Sequence, residues 1–148
     1  MISVTKNIWN ETVSLLRGCG QGRKECVVYW TGPAAEPNIV DEVIHPEHVA
    51  TAGYYEVRES WFHAFWVALD KRSRSVRAQV HTHGGRAFHS GTDDEGAIVQ
   101  IPGYLSLVLP RFAMPADALN GAFLAQLDSR GRFIEVGILN HLDLRAIE

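Results

Sequence analysis

The chain has 148 residues, 46% hydrophobic and 21% charged, with a formal net charge of -3 at pH 7. That length suits one domain burying roughly two thirds of its unfolded surface. The apolar runs fall short of the roughly 18 residues of a membrane span, and the slight acidity excludes a protein devoted to phosphate backbones. The opening residues, MISVTKNIWNETVSLL, have neither the basic start nor the unbroken apolar stretch of a secretory signal, so a cytoplasmic location is expected.

A first helix is expected from Asn7 to Arg17, with Ile8, Trp9, Val13, Leu15 and Leu16 on its apolar side and Gly18 as its stop. The glycine-rich turn GCGQG follows. Cys19 and Cys26 are the two cysteines and lie close together, which argues against a disulfide framework and for reduced thiols. KECVVYWTG, β-branched and aromatic and closed by Gly32 and Pro33, predicts a buried strand from near Lys24 with Glu25 at its head. NIVDEVIH, 38 to 45, predicts a second strand.

In RESWFHAFWVALDKR, Trp61, Phe62, Phe65, Trp66 and Leu69 fall on one helical stripe that should pack on a sheet. The basic run Lys71-Arg72-Ser73-Arg74-Ser75-Val76-Arg77 reads as that helix's solvated end. VRAQVHTH, 76 to 83, is a strand, and AIVQI, YLSLVL, AFLAQLD and RFIEVG are further strands with turns at PG and SRG. The alternation predicts one α/β domain over residues 1-148, built on a mixed sheet.

The strand ending in His81-Thr82-His83 carries the chemistry. Residues i and i+2 of a strand share a face, so both imidazoles point together and can ligate one small cation. A catalytic zinc usually takes three protein ligands and leaves the fourth position open, and Asp93 can return across a glycine-rich loop as the third. Such a donor set suits zinc, and iron, manganese or nickel can occupy it too.

Other families with an H-x-H pair do not fit. H-x-H-x-D-H would need aspartate and histidine where Gly85 and Arg86 stand. A (β/α)₈ barrel needs about 250 residues. His45-Pro46-Glu47-His48 is wrongly spaced for H-E-x-x-H and carries a helix-breaking proline, so His45 and His48 are left as strand-end or loop residues.

The combination of Glu25 opening ECVVYWTG, His81-Thr82-His83, and Ser90-Gly91-Thr92-Asp93 resembles the metal-dependent JAB/MPN family, also called JAMM. The match covers residues 25 to 32 and 76 to 94. The interval before Ser90 is one residue shorter than the family pattern, and Gly84 stands where many relatives have proline. Placing the deletion between Gly84 and His89 keeps Ser90 and Asp93 in their S-x-x-D relation and makes Asp93, not Asp94, the ligand. Without a metal, Ser90 to Asp93, or Thr92 with Glu95, fits a helix capping box instead.

The resemblance implies a layered α/β/α arrangement with a mixed, largely antiparallel sheet of cytidine-deaminase-like architecture. It implies one Zn2+ per chain on His81, His83 and Asp93. Glu25 would be the general base and Ser90 the hydroxyl donor to the oxyanion. The implied activity is zinc-dependent hydrolysis of the amide bond after the C-terminal glycine of a ubiquitin-like protein, as in small bacterial members. The implied partners are that protein, its conjugates and its activating and conjugating enzymes, with neither nucleic acid nor membrane. Alternatives are a peptidase processing a sulfur-carrier protein's C-terminus, a metal-free scaffold binding a ubiquitin-like protein, and a thiol hydrolase using Cys19 or Cys26. His63 is expected at the core or its boundary, His141 in a terminal segment, and His89 in an exposed loop or beside the substrate.

Overall fold

The computed structural model describes residues 1–89 and 99–144. Helix α1 (Lys6–Gly20) starts at Thr5, whose hydroxyl accepts the Ile8 amide at 3.3 Å, and it buries Ile8, Trp9, Thr12, Val13 and Leu16. It runs through Gly18 instead of stopping there. That glycine faces open space, and an outward glycine costs a helix only about 1 kcal/mol. The stop is Gln21, left-handed at φ 51°, whose amide donates to the Arg17 carbonyl.

Six strands form one sheet in the order β3 (Glu42–Ile44), β2 (Val27–Pro33), β6 (Arg74–Thr82), β7 (Leu105–Leu109), β8 (Phe123–Leu127) and β9 (Phe133–Glu135). The β6–β7 pair is parallel and every other neighbouring pair antiparallel, so the sheet is mixed and largely antiparallel, as expected. Alternation along β2 divides its side chains between two cores. Val28 and Trp30 join α1, Val80 and Leu107 on one face, whereas Val27 and Tyr29 meet Phe65 and Leu69 of helix α2 (Glu59–Lys71) on the other. The layering is helix, sheet, helix.

Short pairs complete the fold. β1 (Ile2–Ser3) runs parallel to β10 (Leu142–Asp143), and β4 (His48–Ala50) pairs with β5 (Tyr55–Val57). Among the described residues, no helix is long and apolar enough to cross a membrane.

Several expectations need correction. The second strand covers Glu42–Ile44, not 38 to 45, because the chain at Ile39 turns in toward Gly32. A Cβ on Gly32 would lie 2.0 Å from the Ile39 carbonyl oxygen, so glycine is needed for that approach. The basic run is a helix end only at Lys71 and the C-cap residue Arg72. Arg74 on β6 bonds the Asp41 carboxylate and the Thr31 hydroxyl, and Arg77 bonds the carbonyls of Pro33 and Glu36. These guanidiniums tie down the β2–β3 connection.

The α2 stripe packs in part. Phe65 and Leu69 are buried, Trp61 and Phe62 are half-buried, and Trp66 is 39% exposed, while His63 lies on the exposed side and not at the core. Val99 to Ile101 are not a strand. They lead into the turn closed by the Tyr104 amide on the Ile101 carbonyl, with Gly103 at φ 95°.

The two cysteines are not free thiols. Cys19, in the last turn of α1, and Cys26, ahead of β2, form a disulfide with Cα atoms 6.3 Å apart. The left-handed turn at Gln21 reverses the chain and brings Cys26 back beneath the helix end. Joined in this way, neither sulfur is the thiolate that a thiol hydrolase needs.

Candidate metal and proton-transfer site

The candidate site sits where β2 begins and β6 ends. Val27 pairs with His81 across these antiparallel strands. Continuing that register sets Glu25 opposite His83, ahead of the strand's first ladder residue. The pairing persists there, because the Cys26 amide donates to Thr82 Oγ1 at 3.0 Å and the Thr82 amide donates to the Cys26 carbonyl at 3.0 Å. Two-residue alternation puts Glu25, Val27, His81 and His83 on the α2 face of the sheet.

Both histidines are buried, His81 fully and His83 at 6% exposure, with ring centroids 5.4 Å apart. Glu25 is buried too, at 8%. The Tyr55 ring lies 5.5 Å from that of His81, and Phe88 meets His83 edge-on at 4.6 Å. Beyond β6 the backbone of His83 is held on both sides: its amide donates to Leu109 O at 3.0 Å and its carbonyl accepts the Phe112 amide at 2.8 Å. Gly84 lets that contact form, since a Cβ there would meet the tip of the Phe112 ring at 2.7 Å.

A polar strip adjoins the histidines on this face. Gln79 donates to Ser106 Oγ at 3.0 Å and accepts from the Tyr104 hydroxyl at 3.3 Å. Burial pushes the Tyr104 phenol well above its ordinary range, so it stays a neutral donor. His89 reaches the same strip, with Nε2 3.0 Å from Ser106 Oγ and its ring 4.3 Å from Phe133 and 6.0 Å from His81. It is half-buried against the site rather than exposed. Gln79 was discernible as a polar residue two before His81 in an apolar strand. Nothing in the sequence singled out Ser106.

The structure thus brings Glu25, His81 and His83 into one neighbourhood. Ser90, Asp93 and Asp94 lie outside the described residues, as do Thr92 and Glu95. His45 and His48 take no part here; His48 opens β4 beside Cys19. His141 ends a one-turn helix (Ile138–His141), its Nδ1 2.9 Å from the Gly137 carbonyl. Two buried imidazoles on one face supply nitrogen donors that fit zinc and similar cations, and the carboxylate on the adjoining strand stands beside them as a proton acceptor.

No family model matches the chain. Over 126 residues it is 33% identical to "Probable metalloprotease y4jG" of Sinorhizobium fredii, a match covering 82% of this chain and 78% of that one. The solution structure of protein DSY2949 from Desulfitobacterium hafniense superposes with a TM-score of 0.67 at 16% identity, covering 92% of this chain and 90% of the other. The crystal structure of AF2198, a JAB1/MPN domain protein from Archaeoglobus fulgidus, gives a TM-score of 0.50 at 13% identity, covering 91% and 94%.

Proposed function

The chain belongs to the JAB/MPN metalloprotease family, and from that footing we propose that it is a zinc-dependent peptidase or isopeptidase that cleaves the amide bond after the C-terminal glycine of a ubiquitin-like protein. The observation that carries the proposal is the buried His81 and His83 pair with Glu25 on the adjoining strand, all on one face of the sheet.

On this proposal His81, His83 and Asp93 hold the metal, which when bound supplies Lewis acidity, polarising the carbonyl and lowering the pKa of water. The Glu25 carboxylate takes a proton from the attacking water and passes it to the departing amine nitrogen. Ser90 donates its hydroxyl to the oxygen that gains charge as the carbonyl becomes tetrahedral. The aromatic rings of Tyr55 and Phe88 beside the imidazoles limit the water around them. The partners are a ubiquitin-like protein and its conjugates, with the enzymes that activate and conjugate it. An extended glycine tail needs little room beside its backbone, which suits a site between strand ends.

The test combines metal analysis of the purified chain with cleavage of a ubiquitin-like fusion before and after chelation. The expected result is one zinc per chain and activity that chelator removes and zinc restores. Chelator-resistant cleavage would overturn the metal assignment, and binding of the fusion without cleavage would point to a scaffold.

A further inference from the structure

Away from the histidine pair, Cys19, Cys26 and His48 converge from the end of α1, the approach to β2 and the start of β4. Their sulfur and nitrogen atoms all lie within 4.8 Å of one another. The sulfurs are joined as a disulfide, and His48 Nε2 lies 3.3 Å from Cys19 Sγ. His48 Nδ1 is 2.8 Å from the Pro46 carbonyl oxygen. A carbonyl can only accept, so Nδ1 carries the proton. In the neutral ring, Nε2 therefore aims a lone pair at a sulfur that has no hydrogen to give.

A disulfide gives that arrangement no purpose, whereas a metal-ligating histidine uses it: one ring nitrogen donates to a backbone carbonyl, fixing the tautomer, while the other faces the ion. We propose that, once the Cys19–Cys26 bond is reduced, Cys19, Cys26 and His48 form a second metal site, selective for a thiophilic divalent cation such as zinc. Zinc takes sulfur at about 2.3 Å and nitrogen at about 2.0 Å, and ligand atoms that already lie within 4.8 Å of one another need to shift little, once the sulfurs part, to share one ion. Cys19 and His48 are half-buried, so solvent reaches the fourth coordination position.

A low-molecular-weight dithiol attacks the half-exposed Cys19 sulfur, is itself oxidised to a cyclic disulfide, and leaves two protein thiols. Cation binding then releases both thiol protons. Peroxide reverses the change: two thiolates lose two electrons to form the disulfide, two protons complete the reduction of peroxide to two waters, and the cation leaves. In a reducing compartment the dithiol form prevails.

The probe is Co2+, whose bonds to thiolate give a charge-transfer band in the near ultraviolet. The full chain is reduced anaerobically with a phosphine, freed of reductant and titrated with Co2+, and the oxidised chain is titrated in parallel. The expected outcome is a thiolate band that saturates at one Co2+ in the reduced chain and is absent from the oxidised one. His48→Ala and His48→Gln should each weaken that binding about 10-fold or more, with circular dichroism confirming the fold. The band should persist in His81→Ala, which separates this site from the proposed catalytic one. Absence of the band from the reduced chain, unchanged affinity in both folded His48 variants, or loss of the band in His81→Ala would each overturn the proposal.

Discussion

Cys26 and Thr82 exchange two hydrogen bonds, backbone amide to side-chain hydroxyl in one direction and backbone amide to carbonyl in the other. Thr82 stands between the two histidines and Cys26 directly follows Glu25, so this exchange joins the strand of the proposed base to the strand of the proposed ligands. A side-chain bond at that point holds the pair together where the regular ladder ends.

Glu25→Gln is expected to keep fold and metal while lowering turnover about 100-fold or more, because the amide preserves shape but cannot take a proton. Steady-state cleavage of one ubiquitin-like fusion, with metal content measured on the same sample, checks this. Near wild-type turnover with metal bound would exclude Glu25 as the base.

The choice of Asp93 over Asp94 predicts that Asp93→Asn loses metal and activity while Asp94→Asn keeps both. Adjacent residues of any regular element project in different directions, so one ion selects between two neighbouring carboxylates. Metal content of the two variants decides the register, and the reverse pattern would assign Asp94.

Trp30 donates its buried indole N–H to Thr12 Oγ1 at 2.8 Å, and the Thr12 hydroxyl in turn donates to the Ile8 carbonyl. Thr12→Val keeps the volume and leaves the indole donor without an acceptor. The expected loss is about 1–3 kcal/mol in urea unfolding, with no effect on metal content. A stability change within about 0.5 kcal/mol would show that the contact contributes little.

Burial pushes the Glu42 carboxyl up, but the bonds from Arg72 at 2.9 Å and Thr31 at 3.0 Å outweigh it, with the charges of Arg72 and Arg74 adding to them, and hold the group below its ordinary range. A carboxyl lowered in the folded state stabilises the fold above its unfolded pKa, and that contribution fades as pH falls through the folded one. Glu42→Gln should therefore cost less than about 1 kcal/mol at neutral pH, and its deficit should close below about pH 4. Paired urea titrations across that range measure it. A deficit that stays constant with pH would mean the ion pair is not its source.

Much of this was legible in the sequence because strand alternation is a local property. The spacing of His81 and His83 fixed their common face, and the apolar run after Glu25 marked its strand as a buried one. Longer-range contacts were not legible. Gln21 rather than Gly18 ends α1 because the left-handed cap depends on where the chain must go next, and Arg74 and Arg77 find carbonyl and carboxylate partners brought close only by the β2–β3 connection. The disulfide was hidden for the same reason: the reversal at Gln21 decides whether Cys19 and Cys26 meet. The contacts of His89 were not legible in the chain because its partners, Ser106 and Phe133, come from β7 and β9.

The two backbone bonds on His83, from its amide to Leu109 and from Phe112 to its carbonyl, bear on when ordering entropy is spent. In a small zinc finger the ion itself organises the ligands, so removing it unfolds the chain. Here the sheet and the loop after β7 hold the His83 backbone through bonds that do not involve an ion. Extraction of a catalytic ion should leave the circular dichroism spectrum and the cooperative melt in place, and re-entry of the ion should need no refolding. For this ligand, affinity is then set by donor chemistry more than by conformational work.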